Sequence, residues 1–173
     1  AAANYQTGSG RSSVSLAKDA LDQSGYVIMK DGIREDQSGK QLSFNLLICR
    51  KHPRHMAAAQ SVKSQLAKVG INVDITEISG NGLISRAAEG KYHLYLAEYA
   101  VENDMDIGKL FTPGEGLYNG PLPYDSVRTY TNYRLGQGPI EEFITAFESE
   151  LPFIPLCYRM GIAVYARSIE GVG

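Results

Sequence analysis

KYHLYLAEYAVENDMD, residues 91–106, changes character half-way. Tyr92–Tyr99 is apolar and aromatic, the composition of a buried strand. Glu102, Asp104 and Asp106 then put three acids within five residues just beyond it. An open α/β sheet carries its ligand groups there, outside the carboxyl ends of its strands. The stretch therefore predicts a strand that runs into a ligand-facing loop.

The residues upstream supply the rest of that sheet. Gln41–Arg50 alternates, with Leu42, Phe44, Leu46 and Ile48 on one side and Ser43 and Asn45 on the other, which marks a strand. Pro53 sits where a first helical turn accepts proline. Ala59, Val62, Leu66 and Val69 follow at helical spacing, and Gly70 ends the helix. Ile71, Val73 and Ile75 alternate in the next strand. Gly80 and Gly82 break it before a short helix, Leu83–Ala88, that stops at Gly90. Connections of this length are those of parallel crossovers. The expected fold is α/β: a small, mixed, mostly parallel sheet with helices packed on it, a βαβαβ core followed by a C-terminal helix and strand. On this topology Arg50–Pro53, Ser79–Gly82 and Tyr99–Asp106 all follow strands, so Arg50, Asn81 and Glu102 share one rim.

On either side the text is less regular. AAANYQTGSGR, residues 1–11, reads as a linker or a cloning-derived segment, and 12–173 as a single domain. Ser12-Ser13 cap a helix with Val14, Leu16, Ala17, Ala20 and Leu21 on one face, ended by Gly25. Lys30–Lys40, with Asp-Gly and Ser-Gly pairs and almost nothing apolar, reads as an exposed turn or hairpin tip. Phe111–Tyr124 is an irregular loop rich in glycine and proline, anchored by Leu117, Tyr118 and Tyr124. Tyr124–Gly138 is ambiguous between loop and frayed helix. Pro139 opens a helix with Ile140, Phe143, Ile144, Phe147 and Leu151 on one stripe, closed by Pro152. Phe153–Tyr165 reads as a strand, bent at Gly161.

Charge excludes one class of function. A net charge of -2 and a pI near 5.9 argue against an electrostatic nucleic-acid binder, and the one local basic cluster, Arg50-Lys51 followed by Arg54, reads as a solvated loop. No run is long enough to span a bilayer. Cys49 and Cys157 both fall in apolar runs and read as small buried hydrophobes, with a disulfide between neighbouring strands left open.

Motifs for catalysis are missing: no Gly-x-Ser-x-Gly elbow, no Walker loop, no His-Glu-x-x-His. His52 and His55 are spaced so that one helical turn brings them together, but no further metal ligand stands at a recognisable spacing, so no metal is expected. His93 reads as a core or edge residue. Glu98, Glu102, Asp104 and Asp106 admit three readings. They could be paired acids of a small α/β enzyme, which lacks a nucleophile or metal to partner them. They could be a solvated loop in which Asp106 caps a helix starting near Ile107. Or one or two carboxylates pair with a ligand's ammonium while Tyr99 forms an aromatic wall, which makes Glu98, Tyr99 and Glu102 the candidate contacts.

Five stretches in register then point to a family. AAAQSVKSQLAKVGINVDITEI (57–78) resembles a helix ending in "QL-x-x-xG-I" that leads into an apolar strand in the extracellular solute-binding proteins of family 5, the oligopeptide-, dipeptide- and nickel-binding components of ABC transporters. GKYHLYLAEYAVENDMDIGKLF (90–111) is similar to that family's strand and acidic loop. GEGLYNGPLPYDS (114–126) resembles its glycine–asparagine loop, ELPFIPLCYRMGIAVYARSIEGV (150–172) its ending, and SLAKDALDQSGY (15–26) an early helix. The resemblance runs from Ser15 to Gly171 and implies a periplasmic-binding-protein-like lobe, the second of two, with the first lobe of the same protein absent here.

It also implies capture of a peptide or other small solute between lobes, an ABC permease as partner, no cofactor, and an extracellular or periplasmic location with a lipid anchor outside this chain. In many peptide-binding members the loop reads Trp-x-x-Asp, the acid holding the peptide's amino terminus. Here Tyr99 stands for the tryptophan, and Glu102, or Asn103 in a shifted alignment, for the aspartate. A nickel or metal-chelate receptor of the same family is the alternative.

Overall fold

The computed structural model describes residues 14–101, 106–112 and 120–157. The chain divides into two compact units, Ala1–Pro121 and Leu122–Gly173.

In the first unit, helix α1 (Val14–Gln23) ends as its glycine predicts. Gly25 adopts φ 88°, and the Tyr26 N–H donates to the Leu21 carbonyl at 3.0 Å. None of its residues is buried, so the stripe marked by the spacing stays uncovered. The glycine-punctuated stretch after it is a hairpin, β1 (Ile28–Lys30) against β2 (Ile33–Glu35), turned at Asp31-Gly32 with φ of 53° and 80°. Two successive left-handed residues make the turn whose twist matches the strands.

The exposed tip expected over Lys30–Lys40 is only half right, because Arg34 is 6% and Glu35 8% exposed. Arg34 Nε donates to the Val69 carbonyl at 2.8 Å, and its Nη1 donates to the Asp22 carboxylate and the Tyr26 carbonyl. A guanidinium has enough donors to be buried by such a set, and this one ties the hairpin to α1 and to the turn after α2 (His55–Ala67).

Three parallel strands form the core sheet: β3 (Ser43–Cys49), β4 (Asn72–Ile78) and β5 (Leu94–Tyr95), in the order β4-β3-β5. Helix α2 connects the first two and α3 (Gly80–Ala88) the second two. Leu46, Ile48, Ala59 and Val73 are buried together, with Val62, Leu66, Ile71, Ile75, Leu94 and Leu96 packed around them. Leu47, on the other face of the strand, is also buried, at 1% exposure. Right-handed crossovers that travel in opposite directions put α2 and α3 on opposite faces, which covers a central strand on both sides.

The strand expected over Tyr92–Tyr99 is cut to Leu94–Tyr95, because the chain leaves the ladder once Leu96 N–H has donated to the Leu47 carbonyl at 3.0 Å.

The second unit is an antiparallel-type pair of helices, α4 (Tyr124–Arg134) and α5 (Ile140–Glu150). The ambiguous stretch is thus helical. Tyr130, Phe143 and Phe147 are buried, with ring centroids 5.0 Å apart for Tyr130–Phe143 and 5.7 Å for Phe143–Phe147. Three expectations fail here. Tyr124 opens α4 and is 65% exposed, so it is not the buried anchor expected of it. Leu151 leaves the apolar stripe, because it is the left-handed cap of α5 with φ 43° and is 52% exposed. Phe153–Cys157 joins no ladder, and Ile154, Leu156 and Cys157 are exposed. Residues 158–165 of that expected strand, and Leu117 and Tyr118, lie outside the described residues. Both cysteines are free thiols, Cys49 half-buried at the end of β3.

Candidate functional site

Parallel pairing decides what meets at the carboxyl edge of the sheet. Cys49 lies opposite Ile78 and Leu47 opposite Tyr95, so the chain leaves all three strands side by side. The Arg50 N–H donates to the Ile78 carbonyl at 2.9 Å, which holds two of these exits together. Strand order turns back at β3: the chain passes to β4 on one side and returns across to β5 on the other. Such a reversal opens the crevice in which α/β sheets hold their ligands.

After β3, two consecutive turns fold the chain back on itself. The His52 N–H donates to the Cys49 carbonyl and the His55 N–H to the His52 carbonyl, each at 3.1 Å. These turns stack the two imidazoles, with centroids 4.1 Å apart and planes at 22°. The spacing of three does bring the rings together, but ahead of the helix: α2 starts at His55, and Pro53 stands in the turn before it. Arg50 is exposed, its Nη2 3.4 Å from the Glu77 carbonyl.

After β4, Ser79 caps α3 by accepting the Gly82 N–H at 3.1 Å, which leaves Asn81 exposed in the first turn. After β5 come Glu98, exposed, and Tyr99, half-buried. Glu102, Asn103 and Asp104 lie outside the described residues. Asp106 is not the cap expected of it: the short 3-10 turn Gly108–Leu110 has Ile107 at its N-cap with no side-chain cap bond, and Asp106 accepts the Gly108 N–H at 2.8 Å from one position further back.

Glu98 is not a free acid. One carboxylate oxygen lies 3.3 Å from His52 Nε2 and the other 3.9 Å from Arg54 Nη1. His55 is 6% exposed; burial first, and the neighbouring His52 second, hold its pKa below the ordinary histidine value, with Glu98 opposing. A neutral imidazole at neutral pH follows. His55 Nδ1 accepts the Cys49 N–H at 3.4 Å, whereas its Nε2 and His52 Nδ1 are buried without a hydrogen-bond partner among the described residues. His93 sits at the edge, its Nδ1 accepting the Asn45 N–H at 3.0 Å.

His52, His55 and Glu98 thus bring three possible ligand atoms within 4.8 Å of one another. Glu98 escaped notice as a partner of the histidines because it is remote in sequence. The signal that pointed to it was the pairing of β3 with β5, since parallel neighbours deliver their following loops to one place.

Residues 1–112 match the profile of the bacterial extracellular solute-binding proteins, family 5, middle region. The chain belongs to that family. Family 5 comprises binding proteins, not enzymes. Solved structures with this fold include NikA from Brucella suis in complex with Fe(III)-EDTA, at a TM-score of 0.64 and 18% identity over 86% of this chain and 31% of that one. The periplasmic oligopeptide-binding protein of an ABC transporter from Thermotoga maritima gives 0.64 and 23%, over 82% and 30%. The oligopeptide-binding protein AppA from Bacillus subtilis, in complex with a nonapeptide, gives 0.58 and 18%, over 80% and 30%. This family 5 chain therefore spans about a third of the length of the structures it matches, and at such identities the likeness establishes the fold alone. No curated protein sequence matches it. Among the described residues no helix is long and apolar enough to cross a membrane.

Proposed function

We propose that residues 12–173 form the second lobe of an extracellular or periplasmic receptor that traps a peptide between two lobes and delivers it to an ABC permease. One observation carries this reading: the exits of β3, β4 and β5 converge on a single edge, at the point where the strand order reverses. Tyr99 is the aromatic wall of the site. Glu98 is engaged by His52 and Arg54, so the peptide's ammonium falls to Glu102, with Asn103 as the alternative, while Arg50 and Asn81 line the rim. Ligand contacts on both lobes shift an open form to a closed one, and the permease reads the closure. A lipid anchor outside this chain holds the receptor at the cell surface.

Peptide as the ligand class is supported by Tyr99 and Glu102 at the Trp-x-x-Asp positions, and by the nonapeptide bound to AppA. The test uses the complete receptor, incubated with a library of short peptides and with Fe(III)-EDTA, followed by native mass spectrometry. A retained subset of peptides, lost on acetylating their amino termini, is the expected result. Retention of the chelate with no peptide bound would overturn the ligand class.

A further inference from the structure

We propose that His52, His55 and Glu98 form a binding site for a bare divalent transition ion of the Zn²⁺ or Ni²⁺ kind, held by this chain's own side chains in the crevice between the exits of β3 and β5. The site lies on the same sheet edge as the proposed solute site, but its three ligands belong to one compact unit, so ion binding needs no second lobe.

The donor set is the first support. Two imidazoles and a carboxylate suit Zn²⁺, Ni²⁺ and Fe²⁺, and three protein ligands leave a further position open to water or a solute. The second support is an orphaned group. His55 is more than nine-tenths buried, yet among the described residues its Nε2 has no hydrogen-bond partner, and the buried Nδ1 of His52 has none either. A buried polar atom left unmatched costs about 1–3 kcal/mol, and a ligated ion would supply the missing partner. The third is position, at the strand-order reversal where sheets of this kind bind ligands.

The geometry needs modest closure. Metal–ligand bonds of about 2.0–2.2 Å in a tetrahedral site hold donor atoms about 3.4 Å apart. The three atoms already lie within 4.8 Å, and His52 and Glu98, with side chains 32% and 43% exposed, have room to rotate inward. Two local interactions must yield. Ligation through His55 Nε2 puts the ring proton on Nδ1 and gives up the long contact with the Cys49 N–H. Arg54, 3.9 Å from Glu98, must swing toward solvent, as its 56% exposure allows.

The test is calorimetric titration of this 173-residue chain with Zn²⁺ and with Ni²⁺, carrying Cys49→Ser and Cys157→Ser so that thiols contribute nothing. One equivalent of ion should bind in or below the micromolar range. His52→Ala and Glu98→Gln, both at partly exposed positions, should each weaken it about tenfold or more, and Co²⁺ should give the visible spectrum of a four-coordinate nitrogen–oxygen site. His55→Gln should do the same provided its circular dichroism is unchanged. Absence of binding, or equal affinity in the His52→Ala and Glu98→Gln double variant, would overturn the assignment.

Discussion

Gly70 shows how much one residue carries. It ends α2 with φ 84°, and a Cβ added there would lie 2.8 Å from Arg34 Cγ. That close approach is what lets Arg34 Nε reach the Val69 carbonyl. Gly70→Ala is expected to cost about 2–3 kcal/mol, combining left-handed strain with a shift of the buried guanidinium. Gly39→Ala, at φ 82° with nothing within 4 Å, should cost only about 1 kcal/mol. Urea midpoints at equal m-values compare the two, and equal losses would refute a role for the Arg34 contact. Gly70 was legible as a helix stop, because glycine after a periodic apolar run has few other meanings. Arg34 was not legible: a charged residue in a polar, turn-rich stretch reads as solvent-facing until the Val69 and Tyr26 carbonyls and the Asp22 carboxylate are placed around it in space.

Elements whose apolar period matches their structure were readable, and those held by polar contacts were not. Helices α2 and α5 announce themselves through Ala59–Val62–Leu66 and Phe143–Phe147. In α4 the buried face is Ser126, Thr129 and Tyr130, two of them polar, so no hydrophobic stripe marks it. Its start is held instead by Glu150, whose carboxylate accepts the Asp125 and Ser126 N–H groups at 3.0 and 2.8 Å and the Ser126 hydroxyl at 2.6 Å.

Desolvation alone would raise the Glu150 pKa, but the hydrogen bonds from Ser126 and Asp125 outweigh it and set the group below its ordinary value. A depressed carboxyl stabilises the fold above the unfolded-state pKa and loses that contribution as pH falls through the folded one. Thermal melts of the second helix pair should therefore drop across the acid range, below the ordinary glutamate pKa. Glu150→Gln should flatten this limb, and an unaltered pH profile would contradict it. In the first unit, Ser79→Ala removes the α3 cap and should cost about 1 kcal/mol. Helix α3 carries Gly80 and Gly82 in its first turn, so circular dichroism should also show fraying there.

At the scale of the whole molecule, the order of strands and helices in the first unit could be read directly, since alternating strand and helix periods at crossover spacing leave few topologies. It also set Arg50, Asn81 and Glu102 on one rim: the strand exits that carry Arg50 and Asn81 do lie side by side, while Glu102 lies outside the described residues. The pairing of Glu98 with His52 did not follow from it, because topology brings loops together without saying which side chains within them touch. If capture needs two lobes, this chain alone should bind a peptide about a hundredfold more weakly than the complete receptor, since that ratio is only about 3 kcal/mol of contact. Calorimetry of both species with one peptide checks it, and equal affinities would contradict a shared site.

The most direct test of the edge as the solute site is hydrogen exchange of the complete receptor with and without the tightest peptide from the library. Protection confined in this region to residues 50–55, 79–83 and 96–101 is the predicted result. Protection centred on the hairpin of residues 28–35 or on α5, with those three segments unchanged, would contradict it.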